Sequence, residues 1–123
     1  MFPFHNLLVY QKARAFRTQI NDLLILCKAE EPLRSQLKRA SLSIVLNIAE
    51  GSGRFSNADR KNFFVIARGS VFECIAALDA LLDDKKIIEP QYHSLYSPAA
   101  ERSRILYTLI GKLRPAAHIA EKQ

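Results

Sequence analysis

A chain of 123 residues, 49% hydrophobic and 24% charged, is sized for one domain and can bury a core without disulfide staples, which excludes disorder. Four glycines and five prolines are too few turn residues for an all-β sandwich. The net charge of +6, from 18 Lys and Arg against 12 Asp and Glu, bears on partners and not on fold.

Helical periodicity recurs four times, and no strand pattern competes. The first helix spans about 6–27, with Val9, Ala13, Phe16, Ile20, Leu23, Leu24 and Cys27 on one face and Asn6 as N-cap. Pro32 suits the first turn of the second helix, about 33–50, whose face is Leu33, Leu37, Ala40, Ile44 and Ile48. Gly51-Ser52-Gly53 is expected to stop it through a left-handed glycine. Ser56 caps the third helix, about 57–85, with Asp59 three residues on. Its face is Phe64, Ala67, Val71, Cys74, Ile75, Leu78, Leu81 and Leu82. Glu89-Pro90 opens the fourth helix, about 90–114, whose face is Tyr92, Leu95, Ala99, Leu106, Leu109, Ile110 and Leu113 and where Pro98 predicts a kink or a break. Residues 115–123 form a tail. Short connections between four such helices predict an all-α, antiparallel up-down-up-down four-helix bundle in a single domain, 1–123.

The N-terminal residues show no signal peptide. From Asn62 to Leu82, 15 of 21 residues are apolar, yet Arg68, Glu73 and Asp79 would each cost about 2.5–3.5 kcal/mol near a bilayer centre. A membrane span is therefore not expected. Cys27 and Cys74 read as buried reduced thiols, and the expected location is the cytoplasm.

Helices 2 and 3 are apolar on too many sides for a lone bundle. Leu42, Val45, Leu46 and Ala49 lie behind the core stripe of the second, and Val65, Ile66, Ala76, Ala77 and Ala80 behind that of the third. Such a surface marks an association site, so these positions are expected to form an interface between copies.

In an antiparallel bundle one pole collects Lys12, Arg14, Arg17, Arg54, Arg60, Lys61, Arg68, Arg104, Lys112 and Arg114 against only Glu50 and Asp59, a net +8. The opposite pole is near neutral, with Arg34 and Lys38 read as surface partners of Asp79 and Asp83. A basic pole with few acids fits a polyanion, RNA or DNA, bound chiefly through phosphates. Arg54, Arg60, Lys61 and Arg68 are the leading contacts, with Arg14 and Arg17 as helpers. An acidic protein is the alternative partner.

No motif carries catalysis. Glu89 and His93 miss the Glu-x-x-His spacing of a di-iron bundle by one position. Gly51-Ser52-Gly53-Arg54 lacks the GK[ST] ending and preceding strand of a phosphate loop. Arg114 and His118 have only three residues between them, closer than the pair of a HEPN-type ribonuclease, which stands as the third reading after an acidic-partner module. Asn47 on the core face needs hydrogen-bond partners, with Arg68, Ser70 and Glu73 as candidates. Asn47, Glu50, Gly51 and Glu73 are therefore expected to hold the connection of helices 2 and 3. No cofactor or metal is expected.

Phe4 through Ala13, Leu33 through Ile44, Asn47-Ile48-Ala49-Glu50-Gly51-Ser52-Gly53-Arg54 and Ile66 through Glu73 resemble the bacterial four helix bundle protein family, also called the S23 or 23S rRNA-intervening-sequence protein family. Tyr10 stands where many members carry Trp. The resemblance implies an up-and-down bundle assembled into a pentameric, barrel-like ring. It also implies a link to 23S rRNA genes, whose intervening sequences encode some members. A similar group is the accessory protein of diversity-generating retroelements, which binds nucleic acid and a reverse transcriptase. The resemblance supplies no catalytic residues.

Overall fold

The computed structural model describes residues 1–113. A 3-10 turn, Pro3–Asn6, leads into four helices: α1 (Leu8–Leu26), α2 (Leu33–Ser52), α3 (Asn57–Asp83) and α4 (Glu89–Lys112). Among the described residues there is no strand. Each helix packs against two others: α2 against α1 and α3, and α4 against α3 and α1.

The predicted faces form one core. Phe16, Ile20, Leu24, Leu37, Ile44, Ile48, Leu78, Leu81 and Leu106 are all fully buried. Two positions expected on the outer surface join them. Val45 is 7% exposed and Ala77 is 6% exposed, so neither can serve an interface between copies. A helix with two neighbours buries a stripe wider than a single i, i+3, i+4 row, and these residues lie on its widened edge. Leu42, Leu46, Val65, Ile66 and Ala76 are exposed, and Ala80 is half-buried.

Asn6 does not cap α1. It closes the 3-10 turn, and Leu7 occupies the N-cap. The turn is held by Phe4, stacked on His5 at 4.5 Å and edge-on to Tyr10 at 4.8 Å, and by Gln11 Nε2 donating to the His5 carbonyl at 2.9 Å.

The end of α1 is finished by the next helix. Arg34 donates from Nη2 to the carbonyls of Leu24 (2.7 Å) and Cys27 (3.4 Å), and from Nε to that of Ala29 (3.2 Å). These groups have lost their intrahelical donors, and a cation there also meets the negative end of the helix dipole. The expected pairing of Arg34 and Lys38 with Asp79 and Asp83 is thus replaced. Asp79 instead accepts from the Tyr92 hydroxyl at 2.5 Å.

Gly51 does not stop α2. The helix runs through it to Ser52, Gly53 follows at φ −90° and ψ −4°, and no described glycine has positive φ. Gly51 is there for space. A Cβ on it would sit 2.9 Å from Phe63 Cβ and 2.9 Å from Phe64 Cε1. Ser56 caps α3 as expected, its Oγ accepting from the Asp59 N–H at 3.1 Å.

At the far end of α3, Lys86 N–H bonds the Leu81 carbonyl and Lys85 N–H that of Leu82, the paired bonds of a Schellman stop. Its left-handed residue is Lys85, at φ 59°. In α4, Gln91 Oε1 accepts from Ile88 N–H at 2.9 Å. Pro98 neither breaks nor ends α4, which is continuous across it. Leu95 and Ala99, both buried, anchor the helix on either side. No helix among the described residues is long and apolar enough to cross a membrane.

Gly51→Ala should lower stability by about 1–2 kcal/mol in a urea melt, because overpacking outweighs alanine's helix propensity. A more stable variant would show the contact to be slack. Lys85→Gly should raise stability by about 0.5–1 kcal/mol, since glycine accepts the left-handed conformation without a Cβ clash. An unchanged thermal midpoint would contradict that.

Candidate nucleic-acid interface

The α2–α3 turn gathers the first basic group. Arg54 Nη2 donates to Glu50 Oε1 at 2.6 Å, one helical turn back. Its guanidinium lies over the Phe63 ring at 4.6 Å, an arrangement attractive to any cation. The Arg54 carbonyl accepts from Arg60 Nε at 2.7 Å, so Glu50, Arg54 and Arg60 form one chain of contacts. Lys61 is the next residue and is exposed. Beside them opens a cleft of about 1010 Å³ whose walls include Phe2, Phe4, Asn47, Phe55, Asp59 and Phe63. Phe55 is 99% exposed.

The other expected bases lie elsewhere. Arg68 inserts between Phe72 of α3 and Tyr107 of α4, 4.7 and 5.3 Å from their ring centres, and its buried Nε has no hydrogen-bond partner. Arg14 sits 5.9 Å from the Tyr10 ring centre. Arg17 faces a groove between α1 and α2. Among the described residues, Arg54 alone of these six meets a carboxylate within 4.0 Å.

Lys12, counted with the basic pole, is ion-paired. Its Nζ lies 2.6 Å from Glu101 Oε1, which also takes Arg102 Nη1 at 3.0 Å. Arg102 is buried, and it donates to the carbonyls of Lys12 and Pro98, each at 3.1 Å. The Lys12 hydrogen bond holds the Glu101 carboxyl below its ordinary value, and burial lowers the pKa of Arg102. Arg114 and His118 lie outside the described residues.

The expected network is rearranged. Asn47 Nδ2 donates to the Ser43 carbonyl (2.8 Å) and to Ser43 Oγ (3.0 Å). Ser70 Oγ lies 2.9 Å from that same Ser43 Oγ. Asn47 therefore reaches Ser70, one of its expected partners, through Ser43. Arg68 is turned toward α4, and Glu73 is exposed with no hydrogen bond among the described residues. Glu50 pairs with Arg54, and Gly51 acts by packing.

The Cys74 thiol is pushed up to about 12, first by burial and then by the neighbouring Glu73 charge, which leaves no nucleophilic thiolate. The Tyr92 hydroxyl is likewise raised to about 12, chiefly by its hydrogen bond to Asp79. Among the described residues no three His, Cys, Asp or Glu side chains converge on a metal site.

Sequence reasoning missed the groove that Arg17 shares with Arg34, Lys38 and Arg39. The available signal was that α2 carries no acidic residue before Glu50.

The Lys12–Glu101 pair generates a pH prediction. A carboxyl with a lowered folded-state pKa contributes stability above its ordinary value of 4.5, and that contribution is lost as pH falls through the lowered value. Glu101→Gln should therefore flatten part of the acid decline in thermal midpoint. A variant with the parental acid slope would show the pair to be inert.

Comparison with known proteins agrees with the all-helical fold and with the family resemblance of the sequence. No curated protein matches the chain. It is similar to a crystal structure, at 1.70 Å resolution, of a protein of unknown function from the S23 ribosomal protein family of Bacteroides thetaiotaomicron. The two are 27% identical, with a TM-score of 0.79 over 84% of this chain and 98% of that one. The model of the 23S rRNA-intervening sequence protein family matches residues 5–108, and with the four helices in place across that span, the chain belongs to this family.

Proposed function

We propose that the protein is a non-enzymatic nucleic-acid-binding protein associated with 23S rRNA, and that it works as a homo-oligomeric ring of cytoplasmic subunits. In this reading the four helices alternate up and down as an antiparallel bundle. The exposed Leu42, Leu46, Val65 and Ile66, with Ala76 and Ala80, are covered by neighbouring copies. A ring of five carries +30, five times the +6 of one chain, so individually weak phosphate contacts add by avidity.

The observation that carries the reading is the α2–α3 turn. Arg54, Arg60 and Lys61 lie together there, and of the three only Arg54 meets a carboxylate among the described residues. Cations left without counter-charges on a surface attract polyanions and release counterions when one binds. Arg68, fixed between two rings, is a weaker contact than the sequence suggests, and Arg14 and Arg17 lie on α1 away from the turn group, as helpers only.

A second reading, an interaction module for an acidic protein, draws on Phe55 and Phe2. Both are exposed beside the same cleft, and such rings fit an apolar pocket on a protein partner as well as they stack on bases.

Arg60→Glu with Lys61→Glu should weaken binding of a labelled RNA at least about tenfold and reduce the slope of log K against log salt by roughly 1–2. Fluorescence anisotropy across a salt series measures both. An unchanged affinity and slope would reject the turn as the contact.

A further inference from the structure

We infer that the groove between α1 and α2 is a second seat for the phosphate backbone of a bound nucleic acid, formed by Arg17, Arg34, Lys38 and Arg39. This rests on the nucleic-acid reading above and adds a contact on another flank of the molecule. The groove has a volume of about 520 Å³, and its polar lining is Arg17 and Asn21 from α1 with Arg34, Ser35, Lys38 and Arg39 from α2. Four of those side chains are cations and none is a carboxylate. Among the described residues, no carboxylate oxygen comes within 4.0 Å of any of the four. Glu31, at the start of α2, is engaged with the backbone, its Oε2 accepting from the Ser35 N–H at 3.2 Å.

Arg34 makes the groove more than a patch of loose charge. Its Nε and Nη2 are fixed on the carbonyls that end α1, while Nη1 has no intramolecular partner among the described residues and is not a buried orphan. A guanidinium already immobilised loses little rotamer freedom when it takes a phosphate oxygen. Around it Arg17, Lys38 and Arg39 are exposed and adaptable. Arg34 and Lys38 are one helical turn apart, about 6 Å along α2, and Arg17 faces them from α1. Cations spread over two helices in an open groove suit a chain of phosphates better than one small anion. From Lys38 to Glu50 is about 18 Å along the same helix, so a single strand can meet this groove and the turn at Arg54.

The test is Lys38→Glu with Arg39→Glu in the full chain, which leaves the structural Arg34 in place. Both replaced side chains are exposed and unpaired, so the melting curve should stay parental. Binding of a fluorescein-labelled oligouridylate is followed by anisotropy across a salt series, with light scattering for oligomer mass. Binding should weaken roughly tenfold or more and the salt slope should fall by about 1–2, at unchanged mass. Parental affinity and slope in this variant, with loss only in the Arg60→Glu, Lys61→Glu protein, would overturn the groove and keep the turn. Loss only in the groove variant would sustain the groove and remove the turn. A changed oligomer mass would reassign the groove to contacts between copies and overturn the inference. A parent protein that binds no RNA would overturn both.

Discussion

The close approach of α2 and α3 at the turn that joins them sets the geometry of the basic surface. Gly51 lets the α2 backbone come against Phe63 and Phe64 with no room for a methyl group between them. Eight residues back along α2, Ser43 meets Ser70 of α3 through their hydroxyls, with Asn47 bonded to the same serine. The two helices are thus locked by shape at one place and by polar bonds at another. Arg54 and Arg60 leave this junction already linked through the Arg54 carbonyl, and Phe63 serves both as wall for Gly51 and as platform for Arg54. Close packing and charge presentation therefore share residues.

Counted charge and available charge differ in this protein. Lys12 and Arg102 converge on Glu101, Arg34 closes the end of α1, and Arg68 is held between two rings with an unpartnered Nε. Lys12, Arg102 and Arg34 neutralise or satisfy groups inside the fold, and Arg68 is taken up by aromatic contacts. The cations without such internal partners are therefore fewer than the sequence total. Such division is expected where Arg is used structurally, because its planar fork satisfies several carbonyls at once and its stem packs as an apolar chain.

Much of the fold was legible because single-residue patterns determine it. The apolar stripes of all four helices, the Ser56 cap and the Glu89-Pro90 start each follow from spacing and capping chemistry that neighbouring helices reinforce. Misread positions depend on a partner that spacing alone does not name. Val45 and Ala77 are buried because a second neighbour widens the stripe, and Gly51 answers to two phenylalanines instead of to backbone freedom. Of the kink or break expected at Pro98, the break does not occur, and Leu95 and Ala99 on either side are buried in the core. For the candidate site, the Arg54–Arg60–Lys61 group was legible as a cluster of bases in which Glu50 and Asp59 are the only acids nearby in sequence. The groove between α1 and α2 was hidden, since Arg34 and Lys38 have acidic candidates by helix position but meet none in space.

The two sulfurs give the molecule a chemical temperament of its own. Cys27 and Cys74 are both buried, and Cys74 is further disarmed by the apolar wall around it and by the adjacent carboxylate. Oxidants and electrophiles react with thiolates they can reach, so they find no foothold until a helix lifts away from its neighbours. The rate at which an alkylating agent consumes Cys74 is then a clock for the opening of the interior, and an oxidising medium leaves separate molecules unwelded to one another.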